Sequence, residues 1–192
     1  MCMNDAVYEA FLDTAAEDAQ AVDAASDILT LVASPLEGTP PCTYEGWLDD
    51  VEHLERGADG LPQVSAAKVG FTIHFPSDYC RSTDPNLQFR VARLHFPLFH
   101  PNSKGGVVCL GPHFRPGTRV RPLVQQLYGI IAARVFATDH AFDADACTYY
   151  LRHLDQIAAF RARPLWRRPV VQRTRLERTR PVSSTLGEHQ DE

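Results

Sequence analysis

Residues 69–76 read Val-Gly-Phe-Thr-Ile-His-Phe-Pro, so that Val69, Phe71, Ile73 and Phe75 alternate with Gly70, Thr72 and His74. A two-residue period places all four large side chains on one face of an extended strand. The segment therefore requires a sheet with one buried face, and Pro76 ends it. Three further runs suit the same sheet: Ile28-Leu29-Thr30-Leu31-Val32, residues 43–51 beginning Thr43-Tyr44-Glu45-Gly46-Trp47, and Leu87-Gln88-Phe89-Arg90-Val91. Ser34-Pro35 and Gly38-Thr39-Pro40-Pro41 break the chain between the first two, and residues 57–62 form a turn.

Helical periodicity flanks these strands. Residues 5–26 are rich in Ala, Asp and Glu; Val7, Phe11 and Ala15 lie one turn apart, and Ala21, Val22 and Ala25 extend the stripe weakly. Val120, Leu123, Val124, Leu127, Ile130 and Ile131 recur at three- and four-residue spacing and predict a buried helix. One helix, a four-strand antiparallel meander and C-terminal helices make an α+β fold. The expected organisation is an acidic N-terminal helix over 1–27, a core over 28–163 and a basic tail over 164–192. The tail, rich in Arg, Pro, Thr and Ser, has too few apolar anchors to offset its ordering entropy.

The net charge of −5 conceals an asymmetry: residues 1–60 carry fourteen acidic side chains against Arg56, whereas 151–181 carry nine arginines against Asp155 and Glu177. Such a basic end is more often a solvated tail than a nucleic-acid contact. No apolar run approaches the length of a membrane span, and Met1-Cys2-Met3-Asn4-Asp5 lacks the basic-then-apolar order of a secretory signal. Five scattered cysteines (2, 42, 80, 109 and 147), with no Cys-x-x-Cys pair, disfavour a disulfide framework and favour a reducing cytoplasm.

The chemistry concentrates in His100-Pro101-Asn102-Ser103-Lys104-Gly105-Gly106-Val107-Val108-Cys109-Leu110. The Asn-Ser and Gly-Gly steps favour a tight turn, which presents Cys109 on a short apolar run beside the Asn102 amide. A thiol next to an amide donor suits acyl transfer through a thioester, with Cys109 as nucleophile and Asn102 either steadying the oxygen that becomes negative or bracing the loop that covers it. His100 reads as a hydrogen-bonding residue of the turn rather than a base.

This stretch resembles the active-site segment of ubiquitin-conjugating enzymes, in which a His-Pro-Asn triplet precedes Gly-x-x-Cys-Leu. The spacer here is one residue shorter than in the eukaryotic enzymes. Phe75-Pro76-Ser77-Asp78-Tyr79, followed by 84–89, is similar to the family's Phe-Pro-x-x-Tyr-Pro…Pro-x-Val-x-Phe run, with Cys80 in place of a proline. Residues 142–150 resemble the start of a family helix, Leu-Asn-x-Glu-Ala-Ala-x-x-Tyr, which implies a last helix from 142 to about 160. Arg115-Pro116 and Arg121-Pro122 stand where the family has Trp-Ser-Pro. The similarity spans roughly residues 28–160.

The resemblance implies that Cys109 takes a ubiquitin-like modifier from an activating enzyme and passes it to an amine on a target protein. It implies structural roles at the site for His100, Pro101 and Gly106. It also places His140, with Asp139 adjacent, where a residue assisting deprotonation of the amine is found. No cofactor is implied, because the activating enzyme uses the ATP. The resemblance further implies a divergent bacterial form, of the kind found in antiphage defence systems that often include a deconjugating metallopeptidase. Two other readings remain: a non-catalytic binding or scaffold module of the same fold, and a metal or cysteine-peptidase site. His95, His100, Cys109 and His113 are acceptable zinc donors, but their x₄, x₈ and x₃ gaps follow no common zinc module.

Overall fold

The computed structural model describes residues 5–34 and 38–167. Expectations for residues 1–4, for Pro35 and for 168–192, which include the terminal start and most of the basic tail, lie outside the described residues.

Helix α1 (Ala6–Ala24) begins at Asp5, whose carboxylate accepts the amide N–H groups of Val7 and Tyr8. Its buried stripe is Leu12, Ala15, Ala19 and Val22, with Phe11 half-buried beside it, while Val7 is exposed. The face is thus turned from the expected one, because the small Ala15 and Ala19 allow the helix to lie close on the sheet. Strands β1 (Leu29–Ala33) and β2 (Thr43–Leu48) follow. Then a separate two-stranded hairpin, β3 (His53–Arg56) with β4 (Pro62–Ser65), intervenes before β5 (Val69–His74). The expected strand over 43–51 therefore stops at Leu48, and the turn at 57–62 is the tip of the inserted hairpin.

The strand expected over 87–91 is instead a one-turn helix, α2 (Gln88–Val91), leading into β6 (Ala92–Leu94). Asp84-Pro85-Asn86 starts a turn: Asp84 Oδ1 accepts the Asn86 N–H at 2.8 Å, and Leu87, Phe89 and Arg90 each donate to the carbonyl three residues back. Leu87 and Val91, four apart, are the buried pair, and a four-residue spacing serves a helix rather than a strand. The short strands β7 (Ser103–Lys104) and β8 (Val107–Val108) complete an antiparallel sheet in the order β1-β2-β5-β6-β8-β7. β1, β2, β5 and β6 form the four-strand meander, its fourth strand at Ala92–Leu94 rather than 87–91, with the cysteine hairpin added at one edge.

Helix α3 (Val120–Ile131) buries the six apolar residues named from its periodicity. With α1 it covers the inner face of the sheet, where Tyr44, Leu48, Val69, Phe71, Ile73 and Phe75 project. The last expected helix is two, α4 (Ala144–Arg152) and α5 (Leu154–Ala158), broken at His153, whose ring stacks on Tyr149. A second apolar cluster joins Leu54 of the inserted hairpin to Phe99, Ala133, Ala146, Tyr150, Ile157 and Phe160. The chain stays packed past residue 163. Leu165 is buried and its carbonyl accepts the Ser26 hydroxyl at 2.6 Å, Arg121 sits over the Trp166 ring, and Arg167 reaches Asp27. This is the α+β arrangement that the resemblance implies: N-terminal helix, antiparallel meander, cysteine hairpin and C-terminal helices. Among the described residues no helix is long and apolar enough to cross a membrane.

Gly46 pairs with Phe71 across β2 and β5, and the outer end of the Phe71 ring lies against it. A Cβ at 46 would stand 2.2 Å from the ring. Because Phe71 is fully buried, it has nowhere to move. We expect Gly46→Ala to cost about 2 kcal/mol through overpacking, read as a lowered denaturant midpoint with an unchanged slope. A midpoint equal to wild type would show that the ring repacks freely.

Candidate active site

The segment from His100 to Leu110 is a hairpin built for close approach. Ser103 pairs with Val108 and Lys104 with Val107, and the two-residue tip is Gly105-Gly106, both with positive φ (58° and 78°). Gly106 is required twice over, since a Cβ there would lie 2.7 Å from the Leu94 carbonyl oxygen, while its own carbonyl accepts the Leu94 N–H at 2.8 Å. The hairpin is thereby stitched to β6. On the other side, Arg56 donates its amide to Pro97, and Phe99 donates its own to Leu54, so the inserted hairpin holds the three residues that lead into His100.

Asn102 is the centre of this turn. It is buried, at 3% exposure, and its carboxamide is used at both ends: Oδ1 accepts the Ala137 N–H at 2.8 Å, and Nδ2 donates to the Cys109 carbonyl at 3.1 Å. The Cys109 amide in turn donates to the Asn102 carbonyl at 2.8 Å. Asparagine and cysteine backbones are therefore locked together, and the Cys109 side chain is left partly exposed. Both ends of the Asn102 carboxamide thus bond backbone groups, which is the arrangement of a brace.

The contact that the thiol makes is with a residue that the sequence does not single out. Gln88 Oε1 of α2 lies 3.6 Å from Cys109 Sγ. A strand reading of 87–91 hides it, and only the Asp-Pro-Asn turn signal at 84–86 could reveal it. Its neighbour Phe89 stacks on Phe142 with centroids 5.2 Å apart, which joins α2 to the loop between α3 and α4. A cleft of about 330 Å³ runs from Gln88 past Asp84, Leu87, Gly111, Phe114 and Arg115.

Asp139 and His140 lie on that α3–α4 loop and are exposed. The loop is tied to the turn on both sides of them, at Ala137 through Asn102 and at Phe142 and Asp143, whose amides donate to the Pro101 carbonyl at 2.7 and 3.1 Å. Both residues are therefore carried on the rim of the turn, and the Cys109 thiol bonds Gln88 rather than either of them. The buried Asp143 caps α4 through the Ala146 N–H and pairs with Arg56 at 2.9 Å, which fixes the far end of the loop.

His100 is fully buried, edge-on to Tyr150, and its Nδ1 accepts the Asn102 N–H at 2.9 Å. Burial pushes its pKa down to about 3, outweighing the Val135 backbone, which acts in the opposite sense. At pH 7 the ring is an uncharged brace for the turn. The four zinc donors named from the sequence are not brought together: among the described residues no three His, Cys, Asp or Glu side chains are grouped to hold a metal ion.

The neutral His100 gives the fold a defined acid sensitivity. Unfolded, the ring binds a proton near pH 6.5; folded, it resists down to about pH 3. Between these values the unfolded state holds more protons, so stability falls as pH drops, by up to about 1.4 kcal/mol per pH unit. In His100→Asn the amide oxygen can take the place of Nδ1, and we expect this share of the slope to vanish when unfolding free energy is measured from pH 7 to 4. An unchanged slope would assign the acid sensitivity elsewhere.

No family model matches the chain, and no curated protein matches it. Among solved structures it is similar to the E2 domain of a Toxoplasma gondii ubiquitin-conjugating enzyme. That likeness stands at 14% sequence identity and a TM-score of 0.48, over 78% of this chain and 90% of that one.

Proposed function

We propose that the chain is a conjugating enzyme for a ubiquitin-like protein, carrying the modifier as a thioester on Cys109 and passing it to an amine of a target protein. The observation that supports this most directly is the reciprocal pair of hydrogen bonds between the Asn102 and Cys109 backbones and the Asn102 carboxamide. That pair holds a half-exposed thiol at the end of a rigid turn with a cleft beside it. The reading also rests on the order of the quoted motifs along the chain. Thiol-to-thiol exchange needs little acid or base help, because the two thioesters are close in energy and the incoming thiolate is a strong nucleophile. The later attack by an amine needs a proton acceptor on the rim, and His140, with Asp139 beside it, is the candidate.

In this reading His100, Pro101 and Gly106 are structural. His100 props the turn, the Pro101 carbonyl anchors the rim loop, and Gly106 lets the hairpin touch β6. The partners are an activating enzyme, the modifier and a target. A bacterial antiphage operon that also encodes a deconjugating metallopeptidase is the setting we favour, with the protein acting in the cytoplasm. No cofactor of its own enters the reaction.

The test is charging. The protein is incubated with ATP and with the activating enzyme and modifier encoded beside it, then resolved with and without reductant. Wild type is expected to give an adduct that reductant removes, and Cys109→Ser an adduct that resists reductant or none at all. If the activating enzyme is charged but wild type forms no adduct, the fold serves as a binding module. An adduct that survives unchanged in Cys109→Ser moves the chemistry to another cysteine.

A further inference from the structure

We infer that Gln88 is a catalytic residue of the Cys109 site, the amide that accepts from the resting thiol and donates to the charge developed during transfer. This inference rests on the conjugation reading for the reaction and on the geometry alone for the contact. Two observations lead to it. Asn102 has its carboxamide oxygen committed to Ala137 and its amide nitrogen to the Cys109 carbonyl, and it is buried. Gln88 is half-buried, and the partner the structure gives its carboxamide is the sulfur itself, at 3.6 Å.

The position of Gln88 is held from both sides. Leu87 is buried in the main core, and Phe89 is stacked on Phe142 of the rim loop. The backbone at 88 therefore cannot drift from the sulfur, while the carboxamide can rotate about its last bond and exchange acceptor for donor. In the resting state the oxygen accepts from the thiol. When a thioester is attacked, the amine lone pair forms the new bond to the carbonyl carbon and the π pair moves onto oxygen. An amide N–H turned toward the sulfur lies beside that oxyanion. Collapse re-forms the carbonyl and breaks the C–S bond, whose electron pair returns to Cys109 Sγ as thiolate. The nitrogen gives its proton to solvent or to a rim base. The same N–H then faces the thiolate. Donor and acceptor are thus needed in turn, which a carboxamide supplies and a carboxylate does not.

The test compares wild type with Gln88→Glu, which keeps the shape but removes the donor and adds a negative charge, and with Gln88→Ala. The first arm needs no partner protein. Alkylation of Cys109 by iodoacetamide is followed against pH by peptide-resolved mass spectrometry, which separates it from the other cysteines. In Gln88→Glu the pH midpoint is expected to rise by about one unit through like-charge repulsion of the thiolate. In the second arm Cys109 is charged by exchange with a glycine-terminated peptide thioester of mercaptoethanesulfonate, and discharge to free lysine is timed. Discharge is expected to slow about a hundredfold in Gln88→Glu and in Gln88→Ala. Thermal midpoints should stay near wild type, as a structural role alone would not allow. Equal discharge in all three proteins overturns the catalytic assignment, and an unchanged alkylation profile in Gln88→Glu overturns the contact. Neither arm uses the activating enzyme, so failure of charging by that enzyme, which would remove the conjugation reading, is seen separately.

Discussion

The site depends on one carboxamide. Asn102 joins three pieces of chain that are remote in sequence or separated by a tight turn: its own turn, the backbone of Cys109, and the loop that follows α3. Asn102 is itself buried, so a bond broken here would leave its carboxamide without a partner and cost more than the bond contributes. Its neighbours are buried with it: His100, edge-on to Tyr150, accepts the Asn102 N–H, and Val108 and Leu110 are packed in the core. The position of the sulfur is therefore a by-product of hydrogen bonds made elsewhere.

That turn also lies on a seam. Leu98, Val108 and Leu110 belong to the large cluster between the sheet and helices α1 and α3, whereas Phe99 belongs to the smaller one formed with α4, α5 and Leu54. The chain crosses from one apolar cluster to the other at 98–99, turns through the buried His-Pro-Asn triplet, and returns. The inserted hairpin spans the same seam, since β3 pairs alongside Leu98 and Arg56 reaches Asp143 at the start of α4. Arg56 also lies over the Phe99 ring, so one side chain ties the hairpin to the chain before the triplet and to the loop after it. The cysteine-bearing turn and the inserted hairpin are mechanically one unit.

Much of this architecture is legible in the order of the residues. The alternation at 69–75 and the helical spacing at 120–131 are long and consistent, and both elements form where periodicity puts them. Short elements mislead for identifiable reasons. Leu87-Gln88-Phe89-Arg90-Val91 satisfies both a strand pattern and a four-residue helical spacing, and the Asp84 side chain decides for the turn. The hairpin at 53–65 carries exposed Leu61 and Val64 and buries mainly His53 and Leu54, so its apolar pattern is too weak to announce it. At the site, Cys109 and Asn102 stand out because turn chemistry and residue type coincide there. Gln88 does not, because its role follows from a contact twenty-one residues away in the chain.

The segment that closes the core is the last one described. Ser26 accepts the amides of Ile28 and Leu29 and donates to the Leu165 carbonyl, and the Arg167 amide donates to Ala25. The junction between α1 and β1 is therefore completed by residues made more than a hundred positions later. During synthesis, α1 and the sheet strands leave the ribosome with this corner open and the apolar pocket for Leu165 exposed to water. The nascent chain must wait in that state, vulnerable to proteases and to its neighbours, until residues 165–167 emerge to seal it.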